Sequence, residues 1–431
     1  MGPAAPRRAA GGTREGSIAM HTRTPGMSVA LGSCAAVVGL GLLAPAPALA
    51  DTAQQDLRVA QWSLDAVGAA EAWERTEGAG VTVAVLDTGV DDTHPDLADK
   101  VTVGTDYTGQ DLAPGDEHYG HRGTMLAGII AANGHGREHS GGVMGVAPAA
   151  NILSVRVAPE AGDPQAGDPA ARADALAQGV RYAVNQGAQV IALPAGEGAG
   201  ASDAEQQAVT FAVEHGVVVV APGGDGGGPG PEYPGGYDGV LAVGAVSEGG
   251  QLTASSSRQE SIALTAPGAA VPTVAAGGGY TEADGTAAAA AFAAGAAALV
   301  RAEFPQLRPE QVTEAIVSGA RPAAGTQGQP GHGAGLLNVP GALAAAEDAA
   351  QDVPPFDPAL AEEADGGLPV PAWTLWAGGG VLVLGLLVAG VLAVRRSMAN
   401  PYGLPPREEA PAPEPEAPSR RGAHRAARSR K

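Results

Sequence analysis

Val81-Thr82-Val83-Ala84-Val85-Leu86-Asp87-Thr88-Gly89-Val90 decides the fold. Six mostly β-branched or aliphatic residues run without a charge and stop at an aspartate followed by a glycine turn. A short continuous apolar run of this kind predicts a strand buried on both faces. The carboxylate then stands at the strand's carboxyl end.

Working outward, similar runs recur at Ile152–Val157, Gln189–Leu193, Val217–Ala221, Val240–Val246 and Ser261–Thr265. Helical patterns lie between or after them, at Thr124–Ala132, Arg172–Asn185, Asp203–His215, Thr286–Glu303 and Pro309–Ser318. Strands alternating with helices predict an α/β fold, a parallel sheet with helices on both faces. Functional groups in such sheets gather at the carboxyl ends of the strands.

The ends of the 431-residue chain read differently. Residues 1–50 read as a signal peptide with a possible N-terminal extension: Arg23, an apolar run from Val29 to Leu43, and small residues at Ala48 and Ala50. Residues 51–348 are read as the folded domain. A stretch rich in Ala, Pro, Asp and Glu begins near residue 345; from 349 to 372 it is assigned as a stalk with little to bury. Trp373–Val394 carries no charge over 22 residues, long enough for a transmembrane helix. Arg395 and Arg396 follow, and the tail 395–431 holds nine Lys or Arg against four Glu. That bias places the tail in the cytoplasm and the domain outside the cell membrane. The formal net charge of −21 argues against a nucleic-acid partner. The single cysteine, Cys34, lies in the signal segment, so no disulfide is expected in the mature chain.

Asp87-Thr88-Gly89-Val90 followed by His94-Pro95-Asp96-Leu97 resembles the aspartate motif of subtilisin-like (S8) serine proteases. Gly145-Val146-Ala147-Pro148, Val240–Val246, Ala266-Pro267-Gly268 and Asp284-Gly285-Thr286 are similar to further motifs of that family, in its order, over about residues 58–345. Gln61-Trp62-Ser63-Leu64 through Ala72-Trp73, with the signal, the stalk and the single span, resembles the mycosins, membrane-anchored subtilases associated with type VII secretion. The resemblance implies serine endopeptidase chemistry: a nucleophilic hydroxyl, a base, a carboxylate orienting the base, and donors for the oxyanion.

Placed on that pattern, Asp87 holds the acid position. Gly120-His121-Arg122-Gly123-Thr124 puts Arg122 at the base position, with His121 one residue early. Gly285-Thr286-Ala287-Ala288 puts Ala287 at the nucleophile. Asp225, in Pro222-Gly223-Gly224-Asp225, stands at the oxyanion asparagine. The substrate-pairing segment reads Leu193-Pro194-Ala195-Gly196, and Pro194 has no N–H to give a bound peptide. Ser255, Ser256 and Ser257 match a different family segment.

Two clusters raise metal binding. His135 and His139 sit four apart near His118, in glycine-rich text that reads as a solvated loop. Asp91, Asp92, Asp96 and Asp99 carry oxygen ligands suited to calcium. A charged loop is the reading taken, with no cofactor expected and a structural calcium left open. The leading expectation is a catalytically inactive, mycosin-like pseudoprotease that binds a polypeptide ligand or assembles with a type VII secretion membrane complex. The alternatives are an active serine endopeptidase using His121 and another nucleophile, and an extracytoplasmic peptide-binding module.

Overall fold

The valine-rich run forms β1 (Thr82–Asp87). The computed structural model describes residues 57–163, 169–193, 200–322 and 329–351, with Val353, Leu392, Val394 and Arg395. Two short helices, α1 (Trp62–Val67) and α2 (Ala69–Trp73), precede β1. After it come β2 (Val101–Asp106), α3 (His121–Ala131), the short pair β3 (Asn133–His135) and β4 (Gly141–Met144), and β5 (Asn151–Arg156). α4 (Pro169–Asn185), β6 (Val190–Ala192), α5 (Asp203–Glu214), β7 (Val218–Pro222), β8 (Val240–Val246) and β9 (Ile262–Pro267) follow. The antiparallel pair β10 (Val271–Val274) and β11 (Tyr280–Ala283) leads into α6 (Thr286–Glu303), α7 (Pro309–Ser318) and α8 (Val339–Gln351).

Seven strands form one parallel sheet in the order β2-β5-β1-β6-β7-β8-β9. Strand alternation sorts the core into two layers. Val83 and Val85 of β1, Val190 of β6 and Val218 and Val220 of β7 face α3 and α6. Ala84 and Leu86, Ile191, Val219 and Ala221 face α4 and α5. Asp87 shares the parity of Val83 and Val85, so its carboxylate falls on the α3–α6 side.

α6 is buried on every side from Thr286 to Arg301. A helix apolar all round belongs in a core. Its alanines let the backbone lie close against β6, β7, β8 and β9. Each strand expected from the apolar runs is present, its ends within one or two residues of those predicted.

Three readings need correction. The stalk does not begin at 345 or 349: α8 continues to Gln351, because Val339, Ala342, Leu343 and Ala346 recur at helical spacing and pack into the core. β2 has no counterpart among the predicted strands; it is an edge strand whose mixed exposure hides it. Asp91 and Asp96 are not solvated members of a charged loop but buried, 4% and 0% exposed. The signal peptide 1–50, most of the stalk, the apolar span 373–394 and the tail lie outside the described residues, apart from isolated positions. Among the described residues no helix is long and apolar enough to cross a membrane.

Candidate active site

Asp87 ends β1 fully buried. Its Oδ1 accepts from the Thr88 N–H at 2.8 Å and from Arg122 Nε at 2.9 Å. Its Oδ2 is buried without a hydrogen-bond partner among the described residues. Arg122 reaches it from the first turn of α3, which starts three residues earlier than the sequence pattern indicated. That turn is held tightly against β1. A Cβ on Gly123 would lie 1.9 Å from the Gly89 carbonyl oxygen, so only glycine fits. The Gly123 N–H donates to Thr88 Oγ1 at 3.1 Å, and the Asp91 N–H to Thr124 Oγ1 at 2.8 Å.

His121, one residue earlier on the helix, is exposed. Of the two candidates for the base position, Arg122 is the one the structure brings to Asp87. Glu160 closes the start of α3: its Oε1 accepts from the N–H of His121 at 2.5 Å and of Arg122 at 3.3 Å. A carboxylate there complements the helix N-terminus. Nothing local in the sequence marks Glu160, since it approaches from the loop after β5.

The turn after Asp87 is braced from beneath. Arg156, at the end of β5, donates from Nε to the Thr88 carbonyl at 3.0 Å and pairs with Asp106 at 2.9 Å. Tyr119 lies under Gly89, and burial pushes its hydroxyl above the ordinary tyrosine range. For Asp91, burial pulls the carboxyl upward. Thr93's hydroxyl and N–H and the Gly277 N–H outweigh it and hold the group below the usual carboxylate range.

Ala287 sits in the first turn of α6, 8% exposed. Gly285 before it has φ 92°, and its N–H donates to the Gly268 carbonyl just past β9 at 2.9 Å. This fixes the helix start at the carboxyl edge of the sheet. Asp225, past the end of β7, lies across that start. Its Oδ1 accepts from the Thr286 N–H at 3.0 Å and its Oδ2 from Thr286 Oγ1 at 3.0 Å. A helix N-terminus attracts an anion; here the chain supplies its own. Ser255 Oγ lies 3.4 Å from Asp225 Oδ1, Ser256 Oγ accepts from the Ala245 N–H at 3.1 Å, and Ser257 Oγ bonds Glu232. Among the described residues none of these hydroxyls bonds a histidine.

Leu193 is buried, and its N–H donates to the Val220 carbonyl at 2.9 Å. Pro194, Ala195 and Gly196 lie outside the described residues.

The metal candidates separate. His135 is half-buried rather than solvated: its Nδ1 meets Asp96 Oδ1 at 2.5 Å. Asp96 Oδ2 accepts from the Val143 N–H at 2.8 Å. The nearby carbonyls of His139, Gly141 and Gly142 accept from the Arg58 guanidinium. Each of these oxygens already has a donor. Among the described residues no group of three or more His, Cys, Asp or Glu side chains is placed to hold a metal.

The chain is 33% identical over 244 residues to an intracellular serine protease of Paenibacillus polymyxa, covering 55% of this chain and 72% of that protein. It is 36% identical over 243 residues to thermitase of Thermoactinomyces vulgaris, covering 56% and 82%. Among solved structures it is similar to MycP1 from Mycobacterium smegmatis, with a TM-score of 0.56 and 29% identity over 65% of this chain and 84% of that one. It is also similar to the MycP3 protease of the type VII (ESX-3) secretion system, with a TM-score of 0.55 and 30% identity over 65% and 87%. The sequence pattern of the subtilase family matches residues 78–337. That is more than half of the chain, in the order that carries Asp87, α3 and α6 to one edge of the sheet, and the chain belongs to the subtilase family.

Proposed function

We propose that this chain is a membrane-anchored, mycosin-like subtilase that does not cleave peptide bonds and uses its fold for binding or assembly beside a type VII secretion complex. The observation that carries this is Arg122 Nε on Asp87 Oδ1 at 2.9 Å. A guanidinium stays protonated and has no acceptor, so it cannot take a proton from a nucleophile. Two further positions support the reading. The Ala287 methyl group has no lone pair to attack a carbonyl. Asp225 puts negative charge where an oxyanion would need donors. Removing the nucleophile alone costs about 10⁶ in turnover, a magnitude that itself comes from a subtilisin.

The likeness to mycosins supports the secretion link; one such MycP1 structure is described as an essential component of the type VII (ESX-1) secretion system. The uncharged run Trp373–Val394, with Arg395 and Arg396 after it, supports the anchor.

The test is hydrolysis of peptide substrates by the purified full chain, with Asp87→Ala as control. Equal, background turnover in both is expected; turnover abolished by the substitution overturns the reading. Purification of the membrane complex from cells with and without this protein tests the assembly role. A complex of unchanged composition and yield counts against it.

A further inference from the structure

The opposite end of the sheet holds a cavity of about 510 Å³, lined by Gly80, Gln189, Gly216, Arg301, Gln306 and Arg308 among others. It opens beside Val81, just before β1 begins, whereas Asp87 ends that strand. At about 3.3 Å per residue the two lie roughly 20 Å apart. The cavity therefore stands apart from the candidate active site and owes nothing to its chemistry.

Among the described residues the lining carries two arginines and no carboxylate, in a chain whose net charge is −21. Arg301, in the last turn of α6, is 7% exposed. Of the five N–H donors on its guanidinium, Nη1 finds the Leu307 carbonyl at 2.5 Å and Nη2 finds the Gly216 carbonyl. Nε is buried without a partner among the described residues. Carbonyl dipoles solvate a cation but do not neutralise it, and a buried cation is costly unless its charge is well paired. Burial accordingly pushes Arg301 down to about 10, opposed through space by Glu310. Arg308 is exposed at the rim. α7 begins beside it, ten residues long with Pro309 first; the N–H groups that follow Pro309 favour an anion, although exposed Glu310 shares that first turn.

We propose that this cavity is a binding site for an oxyanion, a carboxylate or phosphate group, clasped between Arg301 and Arg308 at the start of α7. The buried guanidinium supplies the fixed charge, the rim arginine closes over the anion, and the helix end contributes N–H donors.

The experiment is calorimetric titration of the purified full chain with inorganic phosphate and, separately, with succinate, at ionic strength held constant with sodium chloride. Saturable binding of phosphate alone identifies a phosphate site; saturable binding of succinate alone, or of both, identifies a site that accepts carboxylates. Arg308→Ala, an exposed substitution that leaves the core intact, weakens binding about tenfold, the loss expected for one charge-assisted contact. Arg301→Lys keeps the charge but loses the fork geometry, and weakens binding while thermal melting reports whether it still folds. Absence of saturable heat with both anions overturns the proposal. So does Arg308→Ala binding with unchanged affinity.

Discussion

Arg122 Nε donates to Asp87 Oδ1 across 2.9 Å, so the carboxylate that ends β1 faces a permanent cation. Asp87 is 1% exposed in its side chain and Arg122 19%. Removing one partner of a buried ion pair strands the other. Because Arg122 is partly solvated, Arg122→Ala is expected to cost about 2 kcal/mol, less than a fully buried pair would lose. The double variant with Asp87→Asn should cost less than the sum of the two singles, since neither then leaves an uncompensated charge. Urea unfolding of the four proteins measures this coupling. Strict additivity would mean that the contact carries no energy.

Restoring a hydroxyl alone should restore nothing. Ala287→Ser places a nucleophile at the start of α6, but Arg122 gives it no base and Asp225 still occupies the Thr286 N–H and hydroxyl. Members of a catalytic unit act together, so their losses do not add. Peptide turnover is expected at background for Ala287→Ser and above background only when Arg122→His and Asp225→Asn are combined with it. Activity in the single variant would show that another group serves as the base.

Asp225 should stabilise the fold as the cap of α6. Asp225→Ala leaves the Thr286 N–H and hydroxyl without their acceptor, and loss of such a cap costs about 1 kcal/mol. Asp225→Asn keeps an oxygen but loses the charge that complements the helix end, so it should fall between the two. Thermal melts of the three proteins give the order, and an unchanged midpoint for Asp225→Ala would remove the capping role.

The central sheet was legible because β1, β5, β6, β7, β8 and β9 are fed by short aliphatic runs that only a doubly covered strand can bury. β2 was not, since an edge strand with Val103 44% exposed carries no such signal. α8 was hidden by composition: Ala345 to Ala350 read as low-complexity text, while the 339, 342, 343, 346 spacing that docks the helix begins before it. At the site, the order of motifs placed Asp87, Ala287 and Asp225. The choice between His121 and Arg122 turned on where α3 begins, which one-residue pattern reading does not resolve. Arg58 on the carbonyls of His139, Gly141 and Gly142 and Glu160 on the first turn of α3 join segments far apart in sequence. No local pattern encodes such contacts.

Glu205 should make stability depend on pH. Ser202-Asp203-Ala204-Glu205 has the spacing of a capping box, and the Glu205 N–H reaches Ser202 Oγ at 3.5 Å. The carboxylate turns instead to Tyr237, whose hydroxyl donates to Oε2 at 2.6 Å while accepting from the Ser202 N–H at 2.7 Å. Glu205 is 8% exposed. Burial raises its carboxyl above the usual range, and the tyrosine hydrogen bond only partly offsets this. The folded state therefore holds the proton more tightly than the unfolded chain, whose value is about 4.3. Stability from this group is fully present below that value and is lost as pH rises through the higher folded value. Glu205→Gln keeps an acceptor for Tyr237 and cannot ionise. The stability of the variant relative to the parent should therefore be lowest in acid and rise with pH above about 4.3. Unfolding free energies of the two proteins from acid to neutral pH measure the difference. A gap independent of pH would mean that Glu205 titrates alike in the folded and unfolded chains.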